Sequence, residues 1–368
     1  MKKSLIALAV LAASGAAMAR SSVTLFGIVD TNVSYLDGVS NAAGTNTDSK
    51  YGIGTSGNAT SRLGFRGVED LGGGLKAGFH LEGEIFGDDG NANGFNFQRR
   101  STVSLMGGFG EVRMGRELTP SYSKTSSYDL FGQTGIGQFM GWRDWASNSD
   151  FGAALTTAVP TADASNVRSS NMISYYTPNF GGLTAGLGYG FDEQTTGKAG
   201  RYVGGYVAYD NGPLSLAASY DQRDLVLNVG VPVVGSAVLD RDTFTLGGSY
   251  DLNVVKLNAI VQQSKYKALG ESEKVNAYAL GVSAPVGAGE VKLQYALYDN
   301  KLIESKAHHI SLGYVHNLSK RTAVYGTVSY MDNKDDSNLG LQAKNLSTGG
   351  PGRGESQTGV QVGIRHSF

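Results

Sequence analysis

The sequence contains no cysteine and only 7 prolines among its 368 residues. Without cysteine the chain has no disulfide, thiolate zinc site, iron–sulfur cluster or cysteine nucleophile. It also lacks an excess of either charge, since 31 Lys and Arg stand against 32 Asp and Glu. There is therefore no global basic field, and nucleic acid is not an expected partner. No stretch after the N-terminal leader approaches the ~18 consecutive apolar residues that a membrane-spanning helix needs.

Glycine and aromatic residues are abundant instead, with 53 Gly, 19 Tyr and 14 Phe. Glycine is thus about twice as common as usual, while the 17% of charged residues falls below the ordinary ~25%. The glycines follow no G-X-Y period, which excludes collagen. The aromatic content argues against disorder, because disordered chains are poor in these residues.

The N-terminal segment has the form of an export signal. Lys2 and Lys3 precede an apolar stretch from Leu5 to Ala13, and Ala17-Met18-Ala19 matches an A-x-A cleavage site. We predict that residues 1–19 are a cleaved signal peptide and that residues 20–368 form the mature protein. An exported chain without an apolar helix can enter a membrane only as a closed β-barrel.

Along the mature chain, apolar and polar residues alternate with a period of two. In Leu75–Ile85, leucine, phenylalanine and isoleucine occupy odd positions, while Lys76, His80 and Glu82 occupy even ones. Side chains of a strand point to opposite faces in turn, so each such segment has one apolar and one polar face. No long segment fits the helical spacing of three and four better. The chain is predicted to be all-β.

Turn signals divide the chain into sixteen strands, which are predicted to start near residues 23, 59, 74, 95, 109, 170, 182, 200, 213, 242, 254, 275, 289, 305, 320 and 356. Short connections such as Asp70–Gly74 alternate with long polar ones at Asp37–Asn58, Asp224–Asp240 and Asp332–Gly354. An even number of strands with short turns on one rim and long loops on the other is typical of an outer-membrane barrel. A soluble β-sandwich would also alternate, but its loops need not be so unequal.

Two further features fit insertion into the outer membrane. Phe368 follows an alternating strand, which resembles the C-terminal insertion signal of outer-membrane barrels and predicts the barrel-assembly machinery as a partner. Several tyrosines near strand ends are candidates for the aromatic girdles at the two membrane interfaces. They are Tyr295, Tyr298, Tyr314, Tyr325 and Tyr330.

Four segments carry a family resemblance: SSVTLFGIVD (21–30), TSRLGFRGVEDLGGGL (60–75), NFQRRSTVSLMGGFGEVRMGR (96–116) and VRSSNMISYYTPNFGGL (167–183). They resemble the general diffusion porins of Gram-negative bacteria, and most closely the anion-selective subgroup. The resemblance implies a homotrimer of sixteen-stranded antiparallel transmembrane β-barrels, each with a water-filled pore, surrounded by outer-membrane lipid and lipopolysaccharide. It also implies that the third long loop, within residues 118–166, folds inward and narrows the pore.

In that family a cluster of basic residues on the barrel wall lines the constriction. The family's arginine on the second strand matches Arg62, and the one on the sixth strand matches Arg168. The arginine of the fourth strand falls on the pair Arg99-Arg100. Arg66 shares the face of Arg62 and extends the cluster.

The alternation of side chains along a strand ranks Arg99 and Arg100 as candidates for the pore. Arg100 alternates with the lipid-facing Val103 and Leu105, which makes it the first choice for the pore. A β-bulge would exchange the two, so Arg99 is the second choice. An alternative interpretation is that the arginines are only paired with wall carboxylates. The candidate carboxylates are Glu69, Glu82 and Glu84.

The inward loop decides the sign of the selectivity. Cation-preferring relatives carry acidic residues at its tip, in a segment resembling PEFGGD, whereas Phe131–Trp142 of this sequence has no Asp or Glu. Asp129 precedes that segment, and Arg143 and Asp144 follow it. We therefore predict anion preference, although Asp129 and Asp144 are close enough in sequence to reach the opening and weaken it.

The predicted function is passive diffusion of small hydrophilic solutes, with inorganic and small organic anions preferred. The alternative is a substrate-specific channel for phosphate, sulfate or organic anions on the same barrel. A barrel enzyme such as a lipase or protease is disfavoured, because none of the five histidines lies in a motif resembling a catalytic serine block. No catalytic, cofactor-binding or metal-binding residue is predicted.

Overall fold

A computed structural model describes residues 22–40, 46–90, 95–143, 166–195, 197–227, 237–268, 270–301, 304–344, 346 and 350–368. The predicted signal peptide at 1–19 and Asp144 lie outside the described residues. The strands are β1 (Ser22–Ser40), β2 (Asn46–Thr55), β3 (Arg62–Gly72), β4 (Leu75–Glu84), β5 (Arg100–Gly107), β6 (Gly110–Leu118), β7 (Arg168–Tyr176), β8 (Leu183–Gly190), β9 (Tyr202–Asn211), β10 (Leu214–Leu227), β11 (Ala237–Asp251), β12 (Lys256–Ala268), β13 (Glu271–Val286), β14 (Gly289–Asn300), β15 (Ser305–Asn317), β16 (Thr322–Lys334) and β17 (Ser356–Ser367). Between β6 and β7 lie a helix, α1 (Pro120–Thr125), and a 3₁₀ turn (Ser126–Tyr128). No helix in the described part of the chain is long and apolar enough to span a membrane.

The strands form one closed antiparallel barrel. From β3 to β17 each strand pairs with the next one in the sequence, and the sheet closes where Ile28–Asp37 of β1 pairs with Thr358–Ser367 of β17. The wall has sixteen strands, because β2 and β3 both pair with β1 and together occupy one place in it. The predicted architecture is confirmed, and short connections such as 72–75 and 107–110 lie on one rim of the barrel.

One predicted loop is in fact partly strand. The segment Asp37–Asn58 was expected to be irregular, but β1 continues to Ser40 and β2 returns along it from Asn46 to Thr55. Its polar and glycine-rich composition resembles that of a loop. The pairing with β1 satisfies the backbone of β2 nonetheless, and the chain leaves the sheet at residues 56–61 before β3 begins.

Alternation separates the two faces of the wall. On β5, Val103 and Leu105 are 51% and 43% exposed on the outer face, whereas Thr102 is buried on the inner one. The prediction of an aromatic girdle is wrong for two of its five tyrosines: Tyr298 and Tyr325 are only 1% and 6% exposed and point into the barrel. Each lies an odd number of residues from an outward-facing tyrosine on the same strand, so strand parity turns it inward.

Phe368 completes the seam of the barrel. Its backbone N–H donates to the Gly27 carbonyl oxygen at 3.0 Å, and the Gly27 N–H donates to the Phe368 carbonyl oxygen at 3.1 Å. The Phe368 ring covers Gly27, where a Cβ atom would collide with it. A glycine is therefore required opposite this phenylalanine.

Candidate functional site

The chain between β6 and β7 folds into the barrel. Thr119 caps α1, accepting a hydrogen bond from the Tyr122 N–H at 3.4 Å, and Pro120 follows at the first helical position, where its missing N–H costs nothing. Apolar residues then bury themselves in the interior, among them Phe139 and Trp142. The inward loop, residues 119–143, is thus held by its own aromatic side chains. Burial raises the pKa of the Tyr122 hydroxyl to about 12.

Hydrogen bonds fix this loop to the opposite wall. The Leu130 N–H donates to Gln294 Oε1 at 3.2 Å, and Lys292 Nζ donates to the Leu130 carbonyl oxygen at 2.9 Å. Further along, the Met140 N–H donates to the Tyr298 hydroxyl at 3.0 Å. The loop therefore spans the interior from the end of β6 to β14.

The tip of the loop touches the wall at the break between β2 and β3. Gly135 has φ +67°, and a Cβ atom there would collide with the Gly57 carbonyl oxygen. Both the backbone conformation and the close approach require glycine at this position.

The opening is a cavity of about 1060 Å³ between the inward loop and the wall where β3 and β7 begin and β4 and β6 end. Its described lining includes five basic side chains and a single carboxylate. These are Arg62, Arg99, Arg143, Arg168, Lys344 and Glu84. The lining is therefore strongly basic, although the whole chain has a formal charge of −1.

The wall arginines differ in how far they are neutralised. Arg99 Nε donates to Glu82 Oε1 at 2.7 Å, while Arg62 Nε lies 3.9 Å from Glu82 Oε2. Arg168 Nε donates to the Arg99 carbonyl oxygen at 2.9 Å, and Arg168 forms no ion pair with any described residue. Pairing with wall carboxylates, the alternative considered for the arginines, thus applies to Arg99, weakly to Arg62, and not to Arg168.

A second inward segment contributes to the lining. Residues 338–344 fold into the mouth of the barrel, where Leu339 and Leu341 are buried. Lys344 forms an ion pair with Glu84, so the only carboxylate in the described lining is itself paired. Lys344 was not among the residues predicted to line the pore, because its polar surroundings carry no periodic signal.

Arg100 and Arg66 lie elsewhere. Arg100 points inward, as its parity with Thr102 indicated, and its Nε donates to Thr102 Oγ1 at 3.1 Å. Its Nη2 is 3.7 Å from Glu117 Oε2. Together with Arg66 it lines a separate cavity of about 250 Å³. The five predicted arginines therefore form two groups, and Arg99 rather than Arg100 lies with Arg62 and Arg168.

Asp129 is turned away from the opening. Its carboxylate accepts hydrogen bonds from the Phe131 and Gln133 backbone N–H groups, from Gln133 Nε2 and from Gln294 Nε2, at 2.8 to 3.3 Å. Burial raises the pKa of this carboxyl above its ordinary value. The loop presents the neutral side chains of Gln133, Thr134 and Gln138 to the cavity instead.

A fixed positive charge around a narrow opening attracts anions. The low-dielectric wall focuses the field of the charged side chains into the water between them. Guanidinium groups remain protonated at any working pH, so this field is permanent. Several weak contacts allow an ion both to enter and to leave. Across the described ranges, no three His, Asp or Glu side chains converge as a metal site would require.

Comparisons with known proteins point to one family. The profile described as "Gram-negative porin" matches residues 5–336. The outer membrane porin protein 32 of Delftia acidovorans is 64% identical over 374 residues, covering all of both chains. Among solved structures, the anion-selective porin from Comamonas acidovorans is 60% identical with a TM-score of 0.86, covering 95% of this chain and 100% of that one. The trimer form of the Vibrio cholerae outer membrane protein OmpT shares the fold at 15% identity and a TM-score of 0.66, over 95% of this chain and 99% of its own.

Proposed function

The chain belongs to the Gram-negative porin family, and from this premise we propose that Arg62, Arg99 and Arg168 give its channel a preference for anions. The protein is a porin of the outer membrane and not an enzyme. Its pore passes small hydrophilic solutes passively. We propose that the constriction loop predicted within residues 118–166, of which the inward loop is the described part, narrows the passage so that every permeating ion meets the three arginines.

The composition of the cavity lining carries this proposal. Five basic side chains face one carboxylate, and that carboxylate is paired with Lys344. Even when Glu82, which lies behind Arg99, is counted, the surroundings of the opening remain positive. Selectivity follows the charge at the narrowest point, where the wall focuses the field, and not the net charge of the chain.

The chain is expected to work as an assembly in the membrane. We propose that three copies associate through their outward faces, surrounded by outer-membrane lipid and lipopolysaccharide. We further propose that residues 1–19 are removed during export, leaving residues 20–368 as the porin domain. In this scheme the barrel-assembly machinery recognises Phe368 and the strand before it.

The zero-current potential across a planar bilayer in a KCl gradient tests the proposed selectivity. The parent protein is expected to show the sign for chloride preference. The double variant Arg62→Gln with Arg168→Gln is expected to lose most of that potential. Lys320→Gln, which removes one positive charge from an exposed turn on the short-turn rim, provides a control and should behave as the parent does. A parent channel that prefers potassium would refute the proposal.

A further inference from the structure

A second cavity lies on the inner wall between the opening and the short-turn rim. It has a volume of about 250 Å³ and is lined by three basic side chains, Arg66, His80 and Arg100, and by the carboxylate of Glu111. Arg66 pairs in register with His80, and Arg100 pairs with Glu82 one strand further on. Arg66 on β3 and Arg100 on β5 lie two strands apart and are offset by two residues along the strand direction. Their Cα atoms are therefore roughly 12 Å apart, and both side chains reach the same cavity.

Arg66 is held in place without being neutralised. Its guanidinium carbon lies 5.1 Å from the centre of the Phe26 ring, a cation–π arrangement. Arg66 is exposed to the lumen and forms no ion pair with any residue that the structure describes. Gly64 makes this arrangement possible, because a Cβ atom there would collide with the Phe26 ring.

The imidazole of His80 completes the same cluster. Its ring meets Phe26 edge-on, with the ring centres 5.2 Å apart and an interplanar angle of 73°. The Nε2 atom of His80 is buried and has no hydrogen-bond partner in the described structure, and it lies 3.6 Å from Glu82 Oε2. The Phe26 ring thus contacts both the guanidinium group of Arg66 and the imidazole ring of His80, whose Nε2 atom has no hydrogen bond in the described structure.

The nearby carboxylates of Glu111 and Glu117 are both held by a third arginine, Arg113, whose single charge balances one of the two. Arg113 donates to both oxygens of Glu111, from Nε at 2.7 Å and from Nη2 at 2.8 Å, and to Glu117 Oε2 at 3.0 Å. Such a two-pronged ion pair is strong and fixed in orientation. Glu111 therefore does not cancel the charge of Arg66, and Glu117 offsets that of Arg100 only from 3.7 Å.

We propose that this cavity is a second anion-binding subsite, taking a small oxyanion between the guanidinium groups of Arg66 and Arg100. The inference rests on the proposed anion preference and adds a site below the opening. A guanidinium fork matches the spacing of two oxygens in a carboxylate or a tetrahedral oxyanion. A dianion held there slows the passage of chloride, so the channel shows saturable block by oxyanions.

Sulfate is a suitable probe, because it carries two charges at any working pH. Chloride conductance is measured in a planar bilayer while sulfate is titrated on each side in turn. The parent is expected to show saturable block, and Arg66→Gln is expected to raise the half-blocking sulfate concentration about tenfold. Arg66→Lys keeps the charge but loses the fork, and should raise it less. Gly64→Ala, which displaces Phe26 and changes no charge, should act in the same direction as Arg66→Gln.

The control is again Lys320→Gln, for which the half-blocking concentration should equal that of the parent. Conductance in KCl alone establishes that each variant has folded into an open channel. If the parent shows no saturable block, or if Arg66→Gln is blocked as readily as the parent, the subsite does not exist. The zero-current potential distinguishes the proposed anion preference from the proposed subsite. If the channel prefers chloride but sulfate blocks Arg66→Gln as it blocks the parent, only the subsite is overturned. A channel without chloride preference overturns the proposed function as well.

Discussion

Neutralising Glu82 should increase the anion preference of the channel. Glu82 is the carboxylate nearest to the wall arginines, bonded to Arg99 at 2.7 Å and lying 3.9 Å from Arg62. In Glu82→Gln the amide oxygen can still accept from Arg99 Nε, so the arginine keeps its position while the opposing charge disappears. A gain of selectivity is a stringent test, because damage to the pore would lower selectivity.

The size of the effect follows from Coulomb's law. An arginine side chain separates an ion in the opening from the Glu82 carboxylate, a distance of about 8 Å. At that distance the interaction energy of two unit charges is roughly 0.5 to 1 kcal/mol in a mainly aqueous setting. The substitution favours the anion by as much as it disfavours the cation, which doubles its effect on their ratio. Screening at about 0.1 M salt removes around half of this, leaving a rise in the chloride-to-potassium ratio of roughly two- to fivefold.

Reversal potentials in KCl gradients at low and high mean concentration provide the assay. The increase should be clear near 0.1 M and should vanish near 1 M, where the Debye length of about 3 Å is shorter than the distance involved. Glu355→Gln, which removes an exposed carboxylate outside the opening, should change nothing at either concentration. A fall in anion preference, or a change of equal size at both concentrations, would show that Glu82 does not act through the field in the opening.

Three further outcomes are expected. Gln138→Glu places a carboxylate in the cavity lining and should lower the chloride-to-potassium ratio by a factor of two to five near 0.1 M (about the size of the opposite change at Glu82), measured by the same reversal potentials. Asp129→Asn sets an N–H₂ group against the four donors of that carboxylate and should lower the unfolding free energy by about 1–3 kcal/mol in urea titrations. Burial raises the pKa of the Asp129 carboxyl, so the folded protein holds this proton more tightly than the unfolded chain does. The stability gained from this proton is complete below the ordinary pKa of about 4 and is lost as the pH rises through the raised pKa. Asp129→Asn should lack this pH dependence of stability. Phe368→Ala should reduce the fraction of chain assembled in the outer membrane, measured by heat-modifiable gel mobility of membrane fractions, and an unchanged fraction would argue against the insertion signal.

Alternation made most of the wall predictable from the sequence. A strand with one face in lipid and one in water must place Val103 and Thr102 on opposite sides, so its faces can be read residue by residue. Arg62 and Arg168 each begin a strand, and both line the opening. Regular pairing then fixes the neighbours of each strand, and with them the closed architecture.

The same rule could not decide between Arg99 and Arg100. Parity assigns successive residues to opposite faces only within a strand, and β5 begins at Arg100. Arg99 lies before that point, where its side chain is free of the rule and turns towards Glu82. Both arginines therefore face the interior, at different heights. Which of them joins the cluster depends on the backbone at the strand entry, which has no signature in the sequence.

Contacts between distant segments were also beyond the reach of a periodic pattern. Lys344 reaches the opening because residues 338–344 fold over the wall and Leu341 is buried against it. The segment that contains them is polar and resembles an exposed loop. Likewise, Asp129 looked able to reach the opening from its place in the sequence, but Gln294 from a remote strand holds it elsewhere. Such outcomes depend on which partner a residue meets in the folded barrel.

The seam between β1 and β17 has a consequence for how the protein reaches its native state. It joins Gly27 to Phe368, the two most widely separated partners in the wall, so it is the contact with the greatest loss of chain entropy. Until it forms, two strand edges carry unpaired N–H and C=O groups, which cost several kcal/mol each in hydrocarbon. A partly assembled wall therefore has no stable place in the bilayer unless another molecule covers those edges. Any truncation that removes β17 leaves an open sheet with edges prone to pair with other chains.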